Sequence, residues 1–79
     1  MKKRQKITLN KLPLNKEGYI YDINCNSNIK RRLLDLGLIK NSKIIPVLDS
    51  PSKNPRAYEI RGTIIAIRNE DSSSISVYY

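Results

Sequence analysis

The chain contains no histidine, tryptophan or phenylalanine, and a single cysteine, Cys25. Without histidine it lacks the side chain that most often serves as general base and as metal ligand. One cysteine cannot close an internal disulfide or build a structural zinc cage. With no base nearby it is also a weak nucleophile. A lone thiol suits a reducing compartment, so the expected location is the cytoplasm. No apolar stretch of signal-peptide length follows the first basic residues. No run approaches the ~20 apolar residues of a membrane span, so no direct membrane insertion is expected. The three glycines, Gly18, Gly37 and Gly62, are far apart and form no phosphate-cradling loop. The seven acidic residues show no general acid–base pattern, and Glu70-Asp71 reads as a solvated turn. These absences argue against an enzyme. No catalytic residue, metal site, cofactor or small-molecule substrate is expected.

What is present fits one small folded domain. The 79 residues carry a formal charge of +8, and Ile, Leu and Val make up 28% of them. That apolar share clears the ~20% below which a highly charged chain reads as disordered. A domain this short buries only about 60% of its unfolded surface, so its stability should be modest. The charge is uneven: residues 1–11 hold +5 and residues 12–79 only +3. The expected organisation is a flexible basic arm, 1–6, and a folded domain, 7–79. The arm could attract nucleic acid or simply aid solubility.

Most segments read as strands. Ile7 to Leu9 alternates, and Leu12-Pro13 marks a turn. Gly18 to Ile23 is β-branched and aromatic, and a bulge is needed if Ile20 and Ile23 are both to reach the core. Lys43 to Leu48 is strand-like, with Pro46 confining it to an edge or a bulge. Asp49 to Pro55 is a loop. Arg56 to Arg61 and Thr63 to Arg68 form a hairpin about Gly62, with Tyr58 and Ile60 on one face. Asn69 to Ser73 reads as a turn or short 3₁₀ segment, and Ser74 to Tyr79 closes with Ile75 and Val77 on one face. The one helix runs over roughly 28–36, N-capped by Ser27 or Asn26. Ile29, Leu33 and Leu36 form its apolar stripe, widened by Leu34. Gly37 ends it, and Leu38 can pack back over the last turn. The predicted fold is mainly β, a small barrel that closes its sheet edges, with one short inserted α-helix. Leu33, Leu34, Leu36, Ile60, Ile65 and Ile67 are the expected core.

Two features invite a binding role. Arg31 and Arg32 can present guanidinium forks to an acidic partner or phosphates, or pair with Asp35 on their own helix. Tyr19, Tyr21 and Tyr58 could line a peptide groove, stack single-stranded bases, or merely pack on strand surfaces.

The order and spacing of several motifs resemble the FeoA family from about Ile7 to Tyr79. They are Leu12-Pro13, Gly18-x-Ile20, Arg31-Arg32-Leu33-Leu34-Asp35-Leu36-Gly37-Leu38, Ser50-Pro51 with Pro55, Arg61-Gly62 before Ile65-Ala66-Ile67-Arg68, and Ile75-x-Val77. The resemblance implies an SH3-like β-barrel, shared with the C-terminal domain of iron- and manganese-dependent repressors. It further implies an accessory role in bacterial ferrous iron uptake beside FeoB, a transporter with a cytosolic G-protein domain. Where the family often has Pro-Gly, this chain has Lys40-Asn41, and asparagine tolerates the left-handed conformation. Where the family commonly has Gly-Asp between its prolines, here stands Ser52-Lys53-Asn54. The expected partner-binding residues are Arg31, Arg32, Pro51, Pro55, Tyr58, Arg61 and Arg68. The competing classes are a nucleic-acid-binding or repressor-like module using the basic arm, and a transition-metal sensor.

Overall fold

A computed structural model of the chain describes residues 5–24, 27–52 and 54–79. Six antiparallel strands dominate: β1 (Lys6–Thr8), β2 (Gly18–Ile23), β3 (Lys43–Asp49), β4 (Arg56–Ile60), β5 (Thr63–Ile67) and β6 (Ile75–Tyr78). Their order is β1-β6-β2-β3-β4-β5. Helix α1 (Ser27–Asp35) connects β2 to β3, and a 3₁₀ turn (Leu9–Lys11) follows β1. Asn69–Ser72, expected as a turn or 3₁₀ segment, is the one-turn helix α2. The mainly β expectation holds. Edge closure does not: among the described residues β1 and β5 each pair on one side only.

Strand alternation and one bulge explain the core. The β2–β6 register shifts between Ile20 and Asp22, and the bulge lets both Ile20 and Ile23 be buried. Pro46 sits in an interior strand, where a second shift between Pro46 and Leu48 accommodates it. Its carbonyl accepts a hydrogen bond from the Asn15 N–H at 2.6 Å. From the other strands, Ile44, Tyr58, Ile60, Ile67, Ile75 and Val77 meet in the same core as Leu9, Leu12, Leu33 and Leu38. Gly18 keeps this approach close, since a Cβ there would lie 2.8 Å from Leu12 Cδ2 and push that core side chain aside. Gln5 and Lys6, assigned to the arm by sequence, join the fold: Gln5 and Tyr79 exchange backbone hydrogen bonds of 3.0 and 3.2 Å. The rest of the arm, Cys25, Lys53 and the alternative cap Asn26 lie outside the described residues.

Helix α1 stops as its sequence predicts. Gly37 takes φ +89°, its N–H donates to the Leu34 carbonyl, and the Leu38 N–H donates to Leu33, both at 2.9 Å. This is a Schellman ending, and the apolar contact it favours joins buried Leu38 to buried Leu33. Asn41 does adopt the left-handed conformation, with φ +73°. Its N–H donates to the Ile20 carbonyl at 2.7 Å, which pins the loop after α1 to β2. Two core assignments need correction. Leu36 is only half-buried and lies outside the core cluster. Leu34 is 45% exposed, because α1 rests on the sheet through the narrow Ile29–Leu33 stripe and Leu34 lies about 100° round from it.

Candidate functional site

Helix geometry decides where the paired arginines point. With Leu33 buried and Ile29 packed against the core, Lys30, Arg31 and Arg32 are left exposed. Neither arginine forms an ion pair with Asp35 among the described residues. Arg32, three residues after Ile29, overhangs a groove of about 120 Å³ between α1 and β5. Ile29 and Leu33 form one wall, Ile65, Ala66 and Ile67 the other, and Arg68 and Asp71 close it. Two of the expected residues, Arg32 and Arg68, therefore rim one apolar groove. Arg31 lies outside it, on the exposed surface of the helix.

Arg61 belongs to the β4–β5 turn, where its φ is +52°. A Cβ on Gly37 would lie 3.0 Å from its side chain, so the arginine covers the C-terminal end of α1. A cation there suits the negative end of the helix dipole. The same side chain borders a wider depression of about 370 Å³ with Lys43, Ile45 and Glu59.

Pro51 and Pro55 are both exposed. Ser50 Oγ accepts the Asn54 N–H at 3.0 Å, and Ser52 Oγ donates to the Asn54 carbonyl at 2.9 Å. Asn54 Oδ1 accepts the Asn69 N–H at 3.0 Å, bringing this end of the loop against α2. Because Arg56 pairs with Ile67, Pro55 lies beside the Arg68 end of the groove.

Tyr58 is the correction among the site residues. It is 0% exposed, in the middle of the core, and cannot contact a partner. The tyrosine groove it was to share with Tyr19 and Tyr21 is therefore absent. Tyr21 instead packs edge-on against Tyr78 at 5.0 Å, with Lys6 Nζ 4.3 Å from its ring centre. The Tyr58 hydroxyl has no hydrogen-bond partner among the described residues. Burial pushes its pKa above the usual tyrosine value, opposed by nearby Ser72 and Arg56. Its inward face was readable, since alternation already grouped Tyr58 with Ile60.

Sequence reasoning missed two features, although alternation puts Arg56 on the inward face of Tyr58 and Ile60. Arg56 is 8% exposed. Its Nε donates to Asp49 Oδ1 at 2.8 Å, and its Nη1 donates to the Asn10 carbonyl at 3.3 Å. The second is a depression where Leu34 and Ile39, 45% and 55% exposed, meet Tyr21, Lys30 and Lys40.

These features define a class: a small antiparallel β domain with one nine-residue helix and a basic-rimmed apolar groove. The FeoA domain family matches residues 7–79, and the chain belongs to that family. It is 27% identical over 71 residues to a candidate Fe(2+) transport protein A of Campylobacter jejuni, covering 90% of this chain and 96% of that one. It superposes on the solution structure of a Chlorobium tepidum FeoA protein with TM-score 0.87 at 22% identity, covering 91% of this chain and 69% of that one. A Stenotrophomonas maltophilia FeoA crystallised with zinc gives TM-score 0.77 at 27% identity, covering 90% and 88% of the two chains. That protein is described as a prokaryotic SH3 domain protein and a candidate ferrous iron transport activating factor. The SH3-like expectation therefore holds, and the chain belongs with proteins of ferrous iron transport. The zinc does not carry over. This chain has no histidine, and among its described residues no three Cys, Asp or Glu side chains gather around one point. That donor set does not fit a resident transition metal.

Proposed function

We propose that this FeoA-family chain is a non-enzymatic, cytoplasmic accessory protein of ferrous iron uptake that binds and modulates a FeoB-type transporter. The observation that carries the reading is the groove between α1 and β5, where Arg32 and Arg68 flank apolar walls in a chain of this family. Arg31, Arg61 and the Pro51–Pro55 loop extend the proposed surface on either side. A non-catalytic role is supported by local uses of the carboxylates: Asp49 holds Arg56, Asp22 accepts the Ile23 N–H, and Glu17 accepts the Tyr19 hydroxyl. No helix among the described residues is long and apolar enough to cross a membrane.

Titrating the isotope-labelled chain with the transporter's cytosolic domain, and then with the intact transporter, tests this. Binding in the micromolar range, with shifts around α1 and β5, is the expected result. No shift in either titration would sink the proposal.

A further inference from the structure

Arg61 and Gly62, the two residues of the β4–β5 turn, have φ of +52° and +83°. Two positive φ values mark a primed two-residue turn, in which the flanking residues exchange both backbone hydrogen bonds. Ile60 and Thr63 are that pair, and bonded pairs recur at Tyr58–Ile65 and Arg56–Ile67. Ile64 and Ala66 therefore turn their N–H and C=O groups away from β4. Among the described residues no strand lies on that side of β5. Both residues are exposed, and Ala66 lines the groove.

An open edge is a template for pairing, and proteins usually blunt it with a short strand, lysine or proline. Strand β1 follows that rule, with three residues beginning at Lys6. Strand β5 does not. It runs five residues, Thr-Ile-Ile-Ala-Ile, carries no charge, and leaves Ile64 57% exposed.

We propose that β5 accepts an extended segment of a protein partner as a seventh strand, and that the segment is acidic with apolar residues at alternate positions. Every second side chain of an added strand would enter the groove and meet Ile29, Leu33, Ile65 and Ile67. At the groove Arg32 and Arg68 outnumber the one lining carboxylate, Asp71, so the site favours negative charge. The inference rests on the accessory-protein reading for its view that the partner is a protein.

The test uses the labelled full-length chain and a blocked six-residue peptide alternating glutamate with valine. Shifts should centre on Thr63 to Arg68 and reach Arg32, and exchange of the Ile64 and Ala66 amides should slow on binding. Methylating the peptide's pairing amides should weaken binding about tenfold, roughly the effect of losing one backbone hydrogen bond. A lysine–valine peptide should bind more weakly still. Ala66→Pro removes an outward N–H while leaving the β4 ladder whole, and should weaken binding about tenfold as well. Should that variant lose its fold, the methylated peptide carries the same test. No shift at millimolar peptide, shifts centred on Leu34 and Ile39 or on the proline loop, or no effect of methylation would each overturn the proposal. Transporter binding that Ala66→Pro leaves intact would refute the strand pairing and spare the accessory role. Peptide pairing without transporter binding would do the reverse.

Discussion

The two edges of the sheet are built on opposite plans. Strand β1 is short, lies beside the chain's last strand, and is tied at its outer end. Gln5 and Tyr79 exchange backbone hydrogen bonds there, the Tyr79 hydroxyl donates to Gln5 Oε1 at 2.9 Å, and Lys6 sits over Tyr21. Strand β5 is longer and uncharged, and it faces a groove rather than a neighbour. Behind it, β4 is anchored by the buried Arg56 guanidinium on Asp49. Both edge strands pair on one side only, but β1 is short and tied to its neighbours by local contacts, whereas β5 is a longer apolar strand on a firm base. On the proposed reading, the working side of the domain lies away from the end where the sequence charge is concentrated.

Substitutions can break this comparison, beginning with the two faces of β5 itself. Ile67→Ala removes a core side chain and should cost about 2–5 kcal/mol in urea unfolding. Ile64→Ala, three positions earlier on the outer face, should change stability by less than about 0.5 kcal/mol. Asp49→Ala leaves the Arg56 charge buried and unpaired. It should cost about 3 kcal/mol, the low end for a buried pair because Asp49 keeps some contact with solvent. Gly37→Ala forces a side chain into φ +89° against Arg61, for about 1–2 kcal/mol by thermal unfolding.

The smallest expected effect is at Tyr58. Because its folded pKa is raised, the unfolded chain releases the proton first as pH climbs past the ordinary tyrosine value. The unfolded state then binds fewer protons, so stability is full below that value and falls as pH rises through the folded pKa. Tyr58→Phe should be nearly neutral at pH 7 and should flatten the alkaline fall. An unchanged alkaline slope in the variant would show that another group causes it.

How much of this was legible depended on how local the cause was. The stop at Gly37, the hairpin about Gly62 and the need for a bulge between Ile20 and Ile23 are short-range consequences of backbone conformation and alternation. All three appear in the structure. Leu34 was misassigned because periodicity gives the width of an apolar stripe, not how much of it the neighbouring sheet covers. The arginines at 32 and 68 were singled out separately, but their meeting across one groove depends on where α1 lies over the sheet. The open edge of β5 was also invisible, since strand order arises from the whole chain and a barrel was expected to close. Tyr58 was different: its pattern with Ile60 already pointed inward, and its attraction as an aromatic obscured that.

The most direct measurement is amide hydrogen exchange of the full-length chain, alone and bound to an intact FeoB-type transporter. Slower exchange at Ile64 and Ala66, with Ile7 in β1 unchanged, is the predicted result. Protection that appears along β1 and leaves β5 untouched would contradict the account.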